Sequence, residues 1–248
     1  MNFINPYTTI YFDSVELRML TNIPFYKEII WLFLKHLDNR LKLFRHRVNI
    51  HFTNTDQTIK TRQFGSIYDY YTKVDKEAFK TLDDLSRRKL LLNIIYQAFK
   101  ELAECYDWDR SVIDLAYVSS LNEDLHFNFE TASKKNRKKF YTASIQFTLV
   151  GNTLVFYSLI TNTETKEIKK VKLLETNEDY FSWEKRFKEY GWYDNERFGL
   201  KLLSGELWIV AHCITGEIQE IIRPNKKTSK EIHNLLARLK EPPFSIKS

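Results

Sequence analysis

Six histidines, two cysteines and a few spaced carboxylates are the residues of this 248-residue chain that could carry chemistry. His36, His46, His51, His126, His212 and His233 form no H-E-x-x-H and no other i, i+4 helical pair, the spacing that brings two imidazoles to one metal. His46 and His51 are five apart in a segment that reads as a strand, where odd spacing puts them on opposite faces. Adjacent strand residues also face apart, so His212 and Cys213 make no nucleophile–base pair. Asp107-Trp108-Asp109 spells a D-x-D metal motif, but it joins two helices, and there Asp109 serves better as an N-cap. Glu164-Thr-Lys166 and Glu167-Ile-Lys169 fit the E-x-K of metal-dependent nucleases. Such a site needs a further carboxylate on the neighbouring strand to complete the cation's oxygen shell, and residues 154–160 supply none. Arg40 with His46, and Arg45 with His51, have the six-residue offset seen in metal-independent RNA cleavage, with His as acid or base and Arg on the phosphate. Those pairs ordinarily sit in helical bundles, and this segment runs from a helix end into a strand. We assign no catalytic residue and no metal ligand from the sequence.

Glycine sharpens the exclusion, for the chain has only 6. It contains no G-x-G-x-x-G, no G-x-x-x-x-G-K-[ST] and no G-x-S-x-G. Backbone that cradles a phosphate needs glycine for its close approach, so a dinucleotide-binding or nucleoside-triphosphatase fold is not expected, nor is a nucleotide cofactor. Abundant Lys, Asn, Ile, Phe and Tyr beside scarce Gly and Pro are the biases of an AT-rich coding sequence.

Charge is the more informative feature. The formal net charge is +6. Residues 1–124 are balanced, so the whole excess falls on residues 125–248. Lys134, Lys135, Arg137, Lys138 and Lys139 place five cations in six residues, and Lys169 and Lys172 follow in the same meander. A basic cluster beside aromatics can hold a polyanion or an acidic partner; the alternative is a solvated loop whose lysines guard a sheet edge. Trp192 and Tyr193, in the run Tyr190-Gly-Trp-Tyr193, are residue types favoured at interface hot spots, although core packing is their commoner use.

These residues have to be positioned by elements legible in the apolar pattern. Residues 7–12 read as a short strand. Pro24 opens a helix to residue 44 with Tyr26, Ile30, Phe33, Leu37, Leu41 and Phe44 on one stripe. Val48, Ile50 and Phe52 alternate as in a half-buried strand, and weaker strands follow near 59–63 and 66–72. A helix over 84–106 repeats Leu85, Leu92, Phe99 and Tyr106 at seven, with Ile95 and Leu102 between. Thr81 to Asp84 has the capping-box spacing before it. A further helix from Asp109 carries Val112, Leu115 and Val118.

The second half changes to strands: 144–149, 154–160 and 168–174 around a Gly151-Asn152 hairpin, with Val171 and Leu173 inward and Lys170 and Lys172 outward. A helix with Tyr180, Trp183, Phe187 and Tyr190 on one stripe follows, ended by Gly191. Strands over 198–203, 207–214 and 218–222 come next, with a Ser204-Gly205 turn, and Thr228-Ser-Lys-Glu231 caps a last helix with Ile232, Leu235, Leu236 and Leu239. Superposing Gly151 on Gly205 matches Leu154-Val-Phe156 with Trp208-Ile-Val210 and Thr161 with Thr215; Glu167-Ile168 meets Glu217-Ile218 after a gap of four. The expected fold is therefore α+β. It comprises a mixed, helix-rich region over 1–124 and two tandem βββα units over 125–248 forming antiparallel sheet with packed helices. The two regions could equally be one continuous domain.

Two cysteines are too few for a disulfide framework or a four-cysteine metal site. The first twenty residues, interrupted by Asp13 and Glu16, do not read as a secretory signal. The longest strongly apolar run is 29–34, far short of the roughly 20 residues of a membrane span. These features lead us to expect a cytoplasmic protein with no membrane partner. The functional expectation is a non-enzymatic intracellular binding protein acting on a macromolecular partner, a protein rather than nucleic acid, for example an inhibitor or immunity-type protein against a toxin. The alternatives are a nucleic-acid-binding protein using 134–139, and an enzyme such as a nuclease with a site assembled from scattered residues.

Overall fold

The computed structural model describes residues 8–13, 26–37, 41, 46–53, 55–151, 153–176, 187–202, 207–223, 233–234 and 237. The fold is α+β, and the chain divides into two compact units, Asn2–Phe127 and Asn128–Ser248.

The first unit pairs β1 (Thr8–Asp13) and β2 (His46–Thr53) in parallel, β2 and β4 (Ile67–Lys73) in parallel, and β3 (Thr61–Phe64) with β4 antiparallel. Parallel neighbours need a crossover, and α1 (Tyr26–Leu37) lies in the segment between β1 and β2. On one face of the sheet Val48, Ile50, Phe52, Tyr68 and Tyr70 are buried, as the alternation of period two requires. That face meets α3 (Asp84–Tyr106): Tyr70 Oη donates to Glu101 at 3.1 Å, and Tyr68 packs edge-on against Tyr106 and Trp108.

Helix α2 (Lys76–Thr81) was not evident in the sequence; Asp75 caps it by accepting from the Glu77 and Ala78 amides. The capping-box reading at Thr81 is corrected. Thr81 closes α2, its hydroxyl donating to the Ala78 carbonyl, and Asp83 caps α3 by accepting from Ser86 N at 2.7 Å. Asp109 caps α4 (Arg110–Asn122), while Asp107 at φ +56° ends α3, so the D-x-D letters serve a helix corner. Leu92, Ile95, Phe99 and Leu102 are fully buried, but Leu85, Leu115 and Val118 are exposed. The buried face of α4 is Val112, Ile113, Ala116 and Ser120 instead. Two helices, α1 and α3, press on α4, so its buried stripe is set by neighbours that its own periodicity does not encode.

One carboxylate holds these helices together. Glu28 is 2% exposed; it accepts from Arg88 on α3 at 2.6 Å and from the Phe127 amide at 3.1 Å, with His126 Nδ1 at 3.2 Å. Arg88 also donates to the Leu125 carbonyl at 3.0 Å.

The second unit holds two antiparallel sheets. The first orders β5 (Asn128–Glu130), β7 (Tyr141–Val150), β8 (Thr153–Asn162) and β9 (Ile168–Thr176), with β6 (Lys134–Lys135) also on β7. The second orders β10 (Phe187–Trp192), β11 (Arg197–Leu202), β12 (Leu207–His212) and β13 (Ile218–Ile222). Contacts join β9 to β12, and β7 and β8 to β11. Val150 faces Thr153 across the expected hairpin, with Gly151 at φ +62°; Asn152 and the Ser204-Gly205 turn lie outside the described residues. The inward pair on β9 is Leu173 and Leu174, because the register shifts opposite Phe156 and Tyr157; Val171 is half-buried. Gly199 permits a close approach of β12: a Cβ there would lie 2.0 Å from the Ile209 carbonyl oxygen.

The repeat differs from the one expected. Phe187, Tyr190 and Gly191 are not a helix end but part of β10, where Tyr190 pairs with Leu200 and Gly191 with Gly199. An aromatic every three or four residues is compatible with either conformation, and here pairing to β11 decides it. Residues 177–186 and most of the last helix lie outside the described residues, with His233, Asn234 and Ala237 helical. The likeness lies between strands. Tyr141 pairs with Asn162 and Thr161 with Ile168; Arg197 pairs with His212 and Ala211 with Ile218 in the same relation. The turns that follow are the same turn. Asn162 Oδ1 accepts from the Glu164 and Thr165 amides, and His212 Nδ1 accepts from the Ile214 and Thr215 amides. Thr165 and Thr215 then accept from Glu167 and Glu217, and Lys166 and Gly216 both take positive φ. Thr215 therefore corresponds to Thr165, not Thr161, and no four-residue gap intervenes.

Removing Glu28 takes the carboxylate acceptor from Arg88 and from the Phe127 amide. Glu28→Ala is expected to destabilise the first unit by about 3–5 kcal/mol, the cost of breaking a buried ion pair from one side, read from urea unfolding followed by tryptophan fluorescence.

Candidate functional site

Four turns come together at one end of the second unit: residues 136–140, 162–166, 193–196 and 213–216. Each is closed by a side-chain acceptor. Asn136 Oδ1 accepts from Tyr141 N at 3.2 Å, and Asp194 Oδ1 accepts from Glu196 N and Arg197 N at 2.9 and 2.8 Å. Asn162 and His212 do the same for the other two. Because His212 Nδ1 receives backbone N–H groups, its ring proton sits on Nε2, 3.5 Å from a Glu196 carboxylate oxygen. The turns are also bonded to one another. Thr163 N donates to the Phe140 carbonyl at 2.9 Å, Cys213 N to the Glu196 carbonyl at 2.7 Å, and Asn136 Nδ2 to the Asn195 carbonyl at 2.9 Å.

The sequence-derived binding residues divide sharply here. Lys134 lies on β6 and spans to β10: its ammonium donates to the Tyr190 carbonyl at 2.7 Å and stands 4.2 Å from the Tyr190 ring centre. Lys169 donates to the Ile214 carbonyl, and Lys172 pairs with Glu175 at 2.7 Å. Trp192 packs edge-on against Phe198 and donates from Nε1 to the Lys134 carbonyl at 2.8 Å. Tyr193 accepts from Arg223 at 2.6 Å, packs on Trp208 and lies under the guanidinium groups of Arg197 and Arg223. All five side chains are engaged within the unit.

Lys135, Arg137, Lys138 and Lys139 differ. All are exposed, and none meets a carboxylate at ion-pair distance among the described residues. Lys139 holds φ +61°, and beneath the loop Asn136 is 4% exposed. Phe140, beside them, is 53% exposed.

Under the turns is a cavity of about 400 Å³, lined by Asn136, Lys138, Phe140, Tyr141 and Asn162, and by Glu164, Asn195, Glu196, Cys213 and Ile214. Burial pushes up the Cys213 thiol, and the Glu196 carboxylate adds to the rise; the Tyr141 hydroxyl is raised by burial, by its contact with Cys213 and by Glu167 and Glu196. A thiol raised in this way is not a poised nucleophile. Asn195 Oδ1 is buried and meets no donor among the described residues, an arrangement that costs about 1–3 kcal/mol.

A second constellation, on the first unit, was not foreseen. Arg47, Asn49 and His51 share the outward face of β2, and Asp69 and Tyr71 that of β4. Arg47 Nε donates to Asn49 Oδ1 at 2.6 Å, and Asn49 Nδ2 to Asp69 Oδ1 at 2.6 Å; His51 Nε2 is 3.1 Å from the same oxygen. The His51 ring stacks on Tyr71 at 4.6 Å, and Arg62 lies 5.5 Å over Tyr71. Period two puts 47, 49 and 51 on one face, which was legible; the pairing of β2 with β4, which brings Asp69 beside His51, was not. Arg40 and Arg45 lie outside the described residues. Among the described residues no cluster of His, Cys, Asp and Glu could hold a metal ion, and no helix is long and apolar enough to cross a membrane.

The contrast among the lysines is measurable. Lys134→Ala is expected to cost about 1–2 kcal/mol, the sum of one hydrogen bond and one exposed cation–π contact. Lys138→Ala should stay within about 0.5 kcal/mol of the parent, as an exposed residue that meets no carboxylate among the described residues should. Chemical unfolding of the two variants side by side checks this.

Comparison of the chain with protein-family models, curated proteins and solved structures returned no match.

Proposed function

We propose that the protein is a non-enzymatic binding protein that grips an acidic surface of a macromolecular partner with the turn Lys135 to Phe140. The observation that supports this is the division among its cations. Lys134, Lys169 and Lys172 are engaged within the unit, whereas Lys135, Arg137, Lys138 and Lys139 project from a turn that Asn136 and Thr163 hold in place. A held turn loses little conformational freedom on binding, which favours affinity. Phe140, exposed beside the cations, is the kind of aromatic anchor that protein interfaces centre on. A protein surface, which offers apolar pockets beside its carboxylates for such an anchor, is the partner we favour over nucleic acid. An inhibitor that blocks a toxin is one form of this reading.

The quadruple variant with Gln at 135, 137, 138 and 139 tests it against the captured partner and against random duplex DNA and RNA at two salt concentrations. The expected result is negligible nucleic-acid binding by the parent, and a variant that loses association rate while keeping most of its residence time on the partner. Tight nucleic-acid binding whose salt slope falls by about one unit per cation removed would replace this reading with the nucleic-acid one.

The enzyme reading draws on one observation, the Asp69-bonded His51 with Arg47 and Arg62 on the same sheet. Turnover of RNA by the parent, lost in His51→Asn with the fold intact, would establish it.

A further inference from the structure

We infer that the cleft between α2, α3 and the end of β4 is a binding site for a small uncharged molecule with an apolar body and an amide or carbonyl head, a reading independent of whatever the cationic turn grips. The cleft has a volume of about 480 Å³ and lies wholly within the first unit. Its floor is apolar: Val74 just after β4, Phe79 on α2 with Leu82 beyond it, and Leu90 and Ile94 on α3. It is held open. Arg87 on α3 donates to the Phe79 and Lys80 carbonyls at 3.3 and 2.7 Å, and at the other end of α2 the Val74 amide is bonded to the Thr53 carbonyl at 3.1 Å. Pinned at both ends, α2 does not settle onto α3 to fill the gap. Water there meets few polar partners, so an apolar body displaces it at a gain.

The charged groups around the mouth already have partners, and that sets the charge of the ligand. Lys73 pairs with Asp56 at 3.2 Å, the Asp75 carboxylate accepts from the Glu77 and Ala78 amides, and Glu101 accepts from the Tyr70 hydroxyl at 3.1 Å with Lys60 at 3.7 Å. A charged head would enter a largely apolar cleft with no uncommitted counter-charge, at a desolvation cost that an uncharged head avoids. What remains is amide chemistry. Asn93, Gln97 and Glu101 stand at i, i+4 and i+8 on one row of α3. Asn93 Oδ1 accepts from the Tyr117 hydroxyl at 2.6 Å, which leaves Nδ2 to donate, and Gln97 meets no partner among the described residues. Two amides one turn apart thus offer donors and an acceptor above an apolar floor, the complement of a carbonyl or amide carried on a ring or chain.

The probe is hydrocinnamamide, with hydrocinnamate and phenylpropylamine as its anionic and cationic counterparts. Each is titrated into the ¹⁵N-labelled full chain and followed by amide shifts. The expected result is saturable movement of the amides of Val74, Phe79, Ile94 and Gln97 with hydrocinnamamide. Each charged counterpart should be weaker by about tenfold or more, since no group in the cleft is left to pair it. Gln97→Ala should weaken hydrocinnamamide by about threefold or more, the scale of one hydrogen bond. Ala78→Trp, which fills the cleft from an exposed position, should abolish binding. Both variants should keep an otherwise unchanged spectrum, and the Gln97 variant serves if the Ala78 one fails to fold. No saturation by hydrocinnamamide up to about 10 mM, the range within reach of a ligand of its size, would overturn the inference. So would a charged counterpart that binds as tightly, or full affinity in either folded variant.

Discussion

A chain with so few glycines has to turn its corners with side chains, and much of this structure follows from that constraint. Reversing an extended chain leaves amides unpaired and puts some residues at positive φ, where glycine is the ordinary solution. Here Asn136, Asn162, Asp194 and His212 supply the missing acceptors at the turns of the second unit. Asp75, Asp83 and Asp109 do the same at helix starts of the first. Residues such as Asp107, Lys139 and Lys166 accept positive φ without glycine's freedom. A turn closed in this way is held by a specific side chain, so the residues it displays are held too.

The rigid turns position both the exposed cations and the cavity beneath them. Asn136 is the clearest case: one side chain accepts from Tyr141 N and donates to the Asn195 carbonyl, tying the cationic turn to the acidic one. Lys135, Arg137 and Lys139 are exposed beside that link, while Lys138 lines the cavity together with Glu164 and Glu196.

In the first unit the organising element is a buried charge. Glu28 gathers Arg88, the Phe127 amide and the Leu125 carbonyl into one network, each polar group meeting a partner. A half-satisfied network of this depth would be worse than an apolar core. Its main value is register: only one placement of α3 and of residues 125–127 against α1 satisfies every member. The Arg47–Asn49–Asp69–His51 chain does comparable work on the other face of the sheet, where Asn49 is buried and its amide needs the partners it has.

By itself the sequence determined the class of many of the described elements, though not of α2, β5, β6 or β10. Asp109 as a cap, the helix over 84–106, the alternation at Val48, Ile50 and Phe52, and the strands around Gly151 are local consequences of capping chemistry and of periods 3.6 and 2. It also localised the excess positive charge, since charge is additive along the chain. Tertiary structure alone decided what no local rule contains. Parallel pairing set Asp69 against His51, pairing to β11 made Phe187 to Gly191 a strand, and neighbours on two sides turned Leu115 and Val118 outward. It also separated Lys134 and Lys169, which reach carbonyls 56 and 45 residues away, from the lysines left on the surface. A lysine's letter is the same whether its ammonium meets a distant carbonyl or solvent. The difference lies in which backbone the fold brings within reach, and that is a property of long-range contacts.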